Sequence, residues 1–297
     1  MARSGPHPKA AHGTVLDPGR PDDAVGRLIA LALEEDVGPG DRTAEACVPP
    51  SARGSALIFA KEPLIVSGVS AAARVFRALD PACELEALAG ESDAASPGEG
   101  ILRVRGSLRA ILTGERTALN LMMRLCGIAT LTRRYAQSLA GTKTRLLDTR
   151  KTSPGMRELE KAAVRAGGGF NHRGALFDGI LVKDNHAAAA GGIGEAVRRA
   201  RARAHPLLKV EVEVSTPQQI EEALEAGADM LLLDNLGDDE LHKAVQQVRG
   251  RVPLEASGGM TLDRLPRVAA TGVDYVSVGA LTHSAPAVDL SLMVEGA

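Results

Sequence analysis

Aromatic side chains are scarce in this sequence of 297 residues, which contains four Phe, two Tyr and no Trp. Proteins that bind single-stranded nucleic acid commonly stack bases on aromatic rings, so this composition argues against that class. The net charge is also small, because 35 Lys+Arg stand against 37 Asp+Glu, which leaves −2. A protein that binds the phosphate backbone carries a clear basic excess. We therefore expect no nucleic-acid partner.

Cysteines and long apolar runs are scarce as well. Cys47, Cys83 and Cys126 lie far apart, which fits neither a disulfide framework nor a zinc ribbon. So few thiols suit a reducing compartment, and we expect a cytoplasmic protein. No apolar run approaches the roughly 18 residues that a membrane helix needs, so no membrane partner is expected. Residues 1–22 are rich in Pro and Gly and lack a signal-like apolar segment, which predicts a flexible tail.

What is present is a normal apolar fraction of 44%, sufficient for a buried core. Short strand-like runs mixed with few helices predict a smaller N-terminal α+β domain, sandwich-like, over residues 23–127. The C-terminal segment 285–297 is expected to join this domain. A long helical pattern begins at Leu108, is expected to break near Gly127, and resumes to about Ala140.

The pattern of apolar and polar residues is different in residues 128–284, where apolar strands alternate with amphipathic helices. Such a βα repeat predicts parallel strands joined by crossover helices. A complete eight-stranded barrel needs about 250 residues, more than this segment offers. The sequence therefore predicts an α/β fold whose catalytic domain is an incomplete βα barrel of about six strands.

Polar residues stand at the carboxyl ends of the predicted strands, where βα barrels carry their active sites. One such residue could arise by chance from strand alternation, but five in register favour a functional site over solvated strand ends. The five residues are Asp148, Lys183, Glu213, Asp234 and Ser257.

The cations near these strand ends form the first chemical group. They are Arg150, Lys151, His172, Arg173 and Lys183, and Arg116 precedes them on the long helix. Paired cations are typical of a site for a multiply anionic small molecule, because arginine holds carboxylate or phosphate bidentately. Any one of them alone could form a surface salt bridge. Lys183 argues against that alternative, since it ends an apolar strand, where a lysine is costly unless it faces a cleft or a partner.

The second group is acidic and consists of Glu213 and Asp234. These carboxylates could hold ribose hydroxyls, coordinate Mg²⁺ or stabilise a developing positive charge. A buried salt bridge to the neighbouring cations explains either residue equally well.

Glycine-rich turns at Ser257–Gly259 and Val278–Ser284 follow the last two strands and predict a phosphate site. No direct metal-binding motif is present.

Three segments together, DTRKT, GGGFNHR and KDNH, occur in this order and resemble the quinolinate phosphoribosyltransferase family. The similarity extends over residues 115–292, and the segment DVGPGDRT near the start shows a weaker similarity. It implies Mg²⁺-dependent transfer of a phosphoribosyl group from phosphoribosyl pyrophosphate to quinolinate with decarboxylation. The products would be nicotinate mononucleotide, pyrophosphate and CO₂, in de novo NAD biosynthesis.

The resemblance also implies roles for individual residues. Lys151, Lys183, Glu213 and Asp234 would be catalytic, and Mg²⁺ would bind mainly through pyrophosphate, with Glu213 and Asp234 as candidate ligands. Arg116 would complete the site of a neighbouring subunit, which makes the active unit a homodimer and leaves further assembly open. The implied substrate-binding residues are Arg116, Thr149, Arg150, Lys151, His172, Arg173, Lys183, Glu213, Asp234, Ser257, Gly258, Gly259, Val278, Gly279 and Ala280.

One residue departs from the family pattern, since Phe170 stands in the glycine loop where a polar or basic residue is expected. Three other functions stay open at this point. The first is a paralogous phosphoribosyltransferase with another acceptor. The second is a barrel lyase that uses Lys183 as a Schiff-base nucleophile. The third is a catalytically silent binding protein, which would tolerate the loss of Glu213 and Asp234.

Overall fold

The structure, a computed structural model, describes residues 20–296, so the tail predicted over residues 1–22 lies almost wholly outside the described residues. The strands in chain order are β1 (Arg53–Ala60), β2 (Leu64–Ile65), β3 (Glu84–Ala87), β4 (Ala94–Ala95), β5 (Gly100–Ser107), β6 (Arg145–Leu147), β7 (Ile180–Val182), β8 (Val210–Val214), β9 (Met230–Asp234), β10 (Leu254–Ser257), β11 (Tyr275–Ser277) and β12 (Leu290–Glu295).

The helices in chain order are α1 (Ala24–Val37), α2 (Arg42–Cys47), α3 (Val69–Leu79), α4 (Leu108–Ser138), α5 (Arg157–Ala166), α6 (Asp184–Ala190), α7 (Ile193–Arg203), α8 (Pro217–Glu225), α9 (Asp238–Val248), α10 (Leu265–Ala270) and α11 (Ala280–His283). None of these described helices combines the length and the apolar composition that crossing a bilayer requires.

The described chain forms two compact units. The first contains residues 20–133, Thr152–Gly168 and 282–296, and the second contains Arg134–Lys151 and Gly169–Leu281. The units therefore do not follow the expected boundary between residues 127 and 128. Helix α4 runs through that point without a break, and α5 belongs to the first unit, where Arg133 Nε donates a hydrogen bond to Gly167 O (3.0 Å).

An antiparallel sheet with the order β12-β1-β5-β3 forms the centre of the first unit. Strand β12 pairs with β1. The Glu295 carboxylate accepts hydrogen bonds from Ser55 Oγ (2.6 Å) and Arg103 Nε (3.0 Å). The C-terminal segment thus contributes β12 as an edge strand of this sheet. Leu57 and Leu102 are fully buried in its core.

Helix α4 is continuous over 31 residues, so the break expected near Gly127 is wrong. A glycine inside a helix costs roughly 1 kcal/mol relative to alanine, which is why the pattern suggested an interruption. The structure gives the reason for this residue. A Cβ atom at Gly127 would overlap the carbonyl oxygen of Pro286, so the bare helix surface lets the segment after α11 lie against it.

The second unit contains six parallel strands in the order β6-β11-β10-β9-β8-β7, which confirms the α/β fold predicted from the βα repeat. The sheet is not a closed barrel, since no pairing joins β6 to β7 among the described residues. Most of the connections carry helices, as parallel strands require. All strands point the same way, so their carboxyl ends meet along one edge of the sheet.

Phe170 occupies the edge of β6 that β11 leaves open. Its N–H donates to Leu146 O (2.8 Å), and its carbonyl accepts from Asp148 N (3.1 Å). The side chain is half-exposed, and its ring lies 5.1 Å from the guanidinium carbon of Arg145, a cation–π contact. The unusual residue in the glycine loop therefore contributes backbone pairing and a packing contact with Arg145.

Candidate active site

A cavity of about 180 Å³ lies in the second unit, at the carboxyl ends of the parallel strands. Nine of the residues predicted to bind substrate line it, because the strands and the loops that follow them converge on this edge. The complete lining is Thr149, Arg150, Lys151, His172, Arg173, Leu181, Lys183, Glu213, Leu232, Asp234, Glu255, Ser257 and Ser277.

The other predicted residues are not part of this lining. Gly258 and Gly259 follow β10, and Val278, Gly279 and Ala280 follow β11, one to three residues beyond the lining residues of those strands. Arg116 is an exposed residue of α4 in the first unit. The structure thus brings together the predicted cations and acids of the second unit with Ser257, the first residue of one glycine-rich turn.

Two arginines supply the positive charge on one side of the cavity. Arg173 is partly buried, and its Nη1 donates to Gly179 O (2.9 Å). Burial, and next the positive charge of Arg150, lower the pKa of Arg173 from its usual value. Two like charges thus line one partly buried cavity and repel each other. This arrangement favours a ligand with more than one negative charge.

Lys183 directly follows β7 and is the N-cap residue of α6. Its backbone N–H donates to Nδ1 of His186 (3.0 Å), and its Nζ lies 3.4 Å from Oε2 of Glu213. The side chain is 49% exposed. A lysine that forms Schiff bases is activated by an apolar pocket or by a neighbouring cation, and Lys183 instead faces water and a carboxylate. These surroundings argue against the lyase alternative.

Asp234 and the turn after β10 are held together by Asn235. Asn235 Nδ2 donates to Asp234 Oδ2 (2.7 Å), and its N–H donates to Ser257 O (2.9 Å). Gly258 has a φ of +86°, and a Cβ atom there would overlap the Asn235 side chain. Both the left-handed conformation and the close approach therefore require glycine at this position.

Asp148 was expected among the polar site residues at the strand ends, but it is fully buried and does not line the cavity. Its carboxylate accepts hydrogen bonds from Asn171 Nδ2 (2.6 Å) and from the backbone N–H of His172 (2.8 Å). Asp148 therefore fixes the loop that carries His172 and Arg173 instead of facing a ligand.

Two buried carboxylates were missed in the sequence. Glu211 and Glu255 are buried in β8 and β10, and both lie near His172, whose Nε2 is 3.0 Å from Oε2 of Glu211 and 3.5 Å from Oε2 of Glu255. A signal was available, because each precedes a predicted site residue, Glu213 or Ser257, by two positions. Alternate residues of a strand project to the same side.

Glu255 is one of the lining residues and has almost no solvent access. Burial, and next the negative charge of Glu211, raise the pKa of Glu255 to about 8, and the neighbouring His172 opposes this increase. The ligand atoms of His172, Glu211 and Glu255 lie within 4.8 Å of one another, a spacing also compatible with a metal ion. The hydrogen bond between His172 and Glu211 accounts for this spacing without one.

These observations define the class of the protein. The second unit is an α/β domain with an incomplete barrel, and its cavity at the strand ends joins partly buried arginines to carboxylates and strand-end hydroxyls. Active sites of βα barrels occur at this end of the strands. The protein is therefore an α/β enzyme whose site suits an anionic small molecule.

Comparison with known proteins gives the family. The C-terminal domain model of quinolinate phosphoribosyl transferase matches residues 128–293, and the N-terminal domain model matches residues 41–126. The chain therefore belongs to the quinolinate phosphoribosyltransferase family, which confirms the resemblance seen in its motifs.

Individual relatives agree with this family. The chain is 44% identical over 265 residues to a probable nicotinate-nucleotide pyrophosphorylase [carboxylating] of Synechocystis sp., covering 88% of this chain and 90% of that one. It is 43% identical over 268 residues to the probable Bacillus subtilis enzyme of the same name, covering 90% and 92%. The structure of nicotinate-nucleotide pyrophosphorylase from Francisella tularensis superposes with a TM-score of 0.88 at 40% identity, covering 95% of this chain and all of that one.

Proposed function

We propose that the protein transfers the phosphoribosyl group of phosphoribosyl pyrophosphate to quinolinate and releases CO₂. The products are nicotinate mononucleotide and pyrophosphate, and the reaction is a step of de novo NAD biosynthesis. The observation that carries this proposal is the convergence of Arg150, Arg173 and Lys183 on one cavity, in the domain matched by the family model.

The acceptor side of the reaction follows from charge. Quinolinate is a pyridine with two adjacent carboxylates, and arginine binds carboxylates through charge-assisted hydrogen bonds. Burial, and next the positive charge of Arg150, lower the pKa of Arg173, and a dianion bound by both arginines relieves their repulsion. Lys183 lies on the same cavity and adds a third cation that orients the acceptor.

The carboxylates of Glu213 and Asp234 act on the phosphoribosyl donor. The pyridine nitrogen attacks the anomeric carbon of the ribose as the bond to pyrophosphate breaks, and positive charge develops on the sugar. Glu213 and Asp234 stabilise that charge from the cavity wall, and Lys151 neutralises the departing pyrophosphate. Backbone N–H groups of the turns Ser257–Gly259 and Val278–Ala280 are the candidate phosphate ligands.

Decarboxylation needs no further protein group. Once its nitrogen is bonded to ribose, the ring carries a positive charge and becomes an electron sink. The bond between the ring and its 2-carboxylate breaks, CO₂ leaves, and the electron pair left on the ring carbon takes up a proton. No covalent bond to the enzyme is formed.

Mg²⁺ fits the oxygen donors of this cavity. Glu213 and Asp234 are the candidate protein ligands, because Mg²⁺ prefers carboxylate and phosphate oxygens and is commonly held by one or two carboxylates together with substrate phosphates. When bound, Mg²⁺ neutralises charge on the pyrophosphate leaving group.

The next proposal concerns the assembly of the protein and its location in the cell. The active unit is a cytoplasmic homodimer in which Arg116, an exposed residue of α4, completes the acceptor site of the neighbouring subunit. The test is to mix the inactive variants Arg116→Ala and Lys183→Ala. Mixed dimers with shared sites contain one intact site and regain activity, whereas sites contained within one subunit give no recovery.

The experiment for the overall function compares two acceptors. Purified protein is given phosphoribosyl pyrophosphate and Mg²⁺ with either quinolinate or nicotinate, and nicotinate mononucleotide is measured by mass spectrometry. Quinolinate alone is expected to react efficiently, because the arginine pair requires a second carboxylate. Efficient use of nicotinate, or of neither acceptor, would contradict the proposal and favour a paralogue with another acceptor.

A further inference from the structure

Arg264 connects the turns that follow two neighbouring strands, β9 and β10. Its guanidinium donates from Nε to Asp238 Oδ1 (3.0 Å), from Nη2 to Leu236 O (2.6 Å) and from Nη1 to Gly258 O (3.3 Å). Only 18% of the side chain is exposed. A planar guanidinium can bind several acceptors at fixed angles, so Arg264 holds the two turns in one arrangement.

The bond to Gly258 O fixes the direction of the peptide group between Gly258 and Gly259. In a trans peptide the N–H points opposite to the carbonyl, so the Gly259 N–H points away from Arg264. The preceding peptide group is held as well, because Ser257 O accepts from the Asn235 N–H (2.9 Å). Since protein donors bind both carbonyls, the turn Ser257–Gly259 offers an anion its N–H groups instead of its carbonyl oxygens.

The two glycines of this turn make such an anchor necessary. Gly258 and Gly259 have φ values of +86° and +60°, a region that glycine enters readily but leaves just as readily. A turn that is fixed before the ligand arrives loses less conformational entropy on binding. Arg264 lies directly beside the pair, because a Cβ atom at Gly259 would be 3.7 Å from its Nη1.

We infer that Arg264 is a positioning residue for the phosphoribosyl donor, which holds the turn Ser257–Gly259 in the conformation whose N–H groups bind phosphate. This inference rests on the proposed function, because it assigns that turn to the donor. Arg264 is not part of the cavity lining, so its influence on the donor passes through the turn.

The first test compares two arginines that share one carboxylate. Arg267 Nε donates to Asp238 Oδ2 (3.0 Å), but this side chain is 65% exposed and also donates to Asp263 O (3.4 Å). Arg264→Met should raise the KM for phosphoribosyl pyrophosphate about tenfold, the effect of one lost hydrogen bond to a charged group, with kcat and the KM for quinolinate little changed. Arg267→Met should keep all three wild-type values. A folded Arg264→Met variant with the wild-type donor KM would overturn the inference, as would an equal rise in Arg267→Met.

Arg264→Lys separates positioning from simple attraction of an anionic donor. Lysine keeps the charge but lacks the planar set of donors that binds both carbonyls and the carboxylate, so the donor KM should rise roughly threefold. A wild-type donor KM in Arg264→Lys would show that charge alone acts and would overturn the inference. This variant also decides the question if Arg264→Met does not fold.

A double-mutant cycle tests whether Arg264 acts through the turn. Gly258→Ala displaces the turn by itself, so Gly258→Ala/Arg264→Met should have the same donor KM as Gly258→Ala alone. Additive increases in the donor KM would overturn the inference.

The last test needs no turnover. Ribose 5-phosphate and inorganic pyrophosphate are each titrated calorimetrically into wild-type protein, Arg264→Met and Arg267→Met. At least one probe should bind Arg264→Met about tenfold more weakly than wild type, whereas Arg267→Met should bind both like wild type. Equal affinities of wild type and Arg264→Met for both probes, or binding of neither, would overturn the inference. If the probes behave as expected but wild-type protein forms no nicotinate mononucleotide, the proposed function fails and the positioning of a phosphate-binding turn stands.

Discussion

Replacing Arg173 by methionine removes one guanidinium from the cavity and keeps most of the length of the side chain. If Arg173 binds a carboxylate of quinolinate, the variant loses a hydrogen bond between charged groups, about 1.5–3 kcal/mol. This loss corresponds to a roughly 10- to 150-fold weaker affinity for quinolinate. The loss is increased because the variant also lacks the repulsion between Arg150 and Arg173 that a bound dianion relieves; burial, and next this repulsion, lower the pKa of Arg173.

The fold should tolerate this change. The internal partner of the guanidinium is Gly179 O (2.9 Å), and Gly179 is partly exposed, so water can replace the lost donor. The free energy of unfolding should therefore change little, and the effect should appear in quinolinate binding. A matched control is Arg201→Met, which removes an exposed arginine of α7 paired with Asp229 (3.0 Å). Exposed pairs contribute roughly 0–1 kcal/mol, so the control should behave like wild-type protein.

The assay is steady-state formation of nicotinate mononucleotide at varied quinolinate and saturating donor, together with calorimetric titration of quinolinate into each protein. The expected result is a large rise in the KM and Kd for quinolinate, with the KM for phosphoribosyl pyrophosphate within a few-fold of wild type. Unchanged quinolinate affinity with weakened donor affinity would refute the assignment of Arg173 to the acceptor.

Three further predictions concern stability, pH and the donor site. Gly127→Ala should lower the melting temperature in spite of alanine's higher helix propensity, because its Cβ overlaps backbone at Pro286; Gly114→Ala, whose Cβ approaches side chains instead of backbone, should cost less. Glu255 keeps a proton in the folded protein up to a pH of about 8 but loses it near 4.5 when unfolded. The unfolding free energy should therefore fall as pH rises through this window, by about 1.4 kcal/mol for each unit of pKa difference, and Glu255→Gln should flatten that slope in denaturant titrations. Gly258→Ala forces a left-handed alanine against Asn235, which costs roughly 1–2 kcal/mol of stability and displaces the turn, so the KM for the donor should rise; an unchanged donor KM would exclude this turn from the phosphate site.

Much of the second unit was predictable because local patterns determine it. Apolar strands alternate with amphipathic helices, and parallel strands bring their carboxyl ends to one edge. Strand-end residues such as Lys183 and Asp234 are therefore neighbours in space although about fifty positions separate them in the chain. The family motifs agree with this geometry, and the family models confirm the recognition.

The buried acids were missed because their signal is ambiguous. In VEVEV, an alternating pattern commonly means that the charged residues face water and the valines face the core. Strand β8 is instead buried on both faces, so Glu211 is buried together with the valines with which it alternates. Only the three-dimensional position of His172 shows why such a charge is kept.

The error at Gly127 has a different origin, since it depends on a contact between distant segments. Gly127 looks like a helix break by propensity, and only the position of Pro286 reveals that glycine serves a close approach. The family models meet at the predicted boundary, whereas the compact units divide the chain differently and place α5 in the first unit. No local pattern contains the Arg133–Gly167 bond that links α4 to the end of α5.

The release of CO₂ tests the central claim most directly. Protein, Mg²⁺ and phosphoribosyl pyrophosphate are combined with quinolinate labelled with ¹⁴C in either the 2-carboxyl or the 3-carboxyl group. The account predicts one labelled CO₂ for each nicotinate mononucleotide from the 2-carboxyl substrate and none from the 3-carboxyl substrate. It also predicts that release stops when the donor is omitted. Donor consumption without labelled CO₂, or CO₂ release without donor, would contradict it.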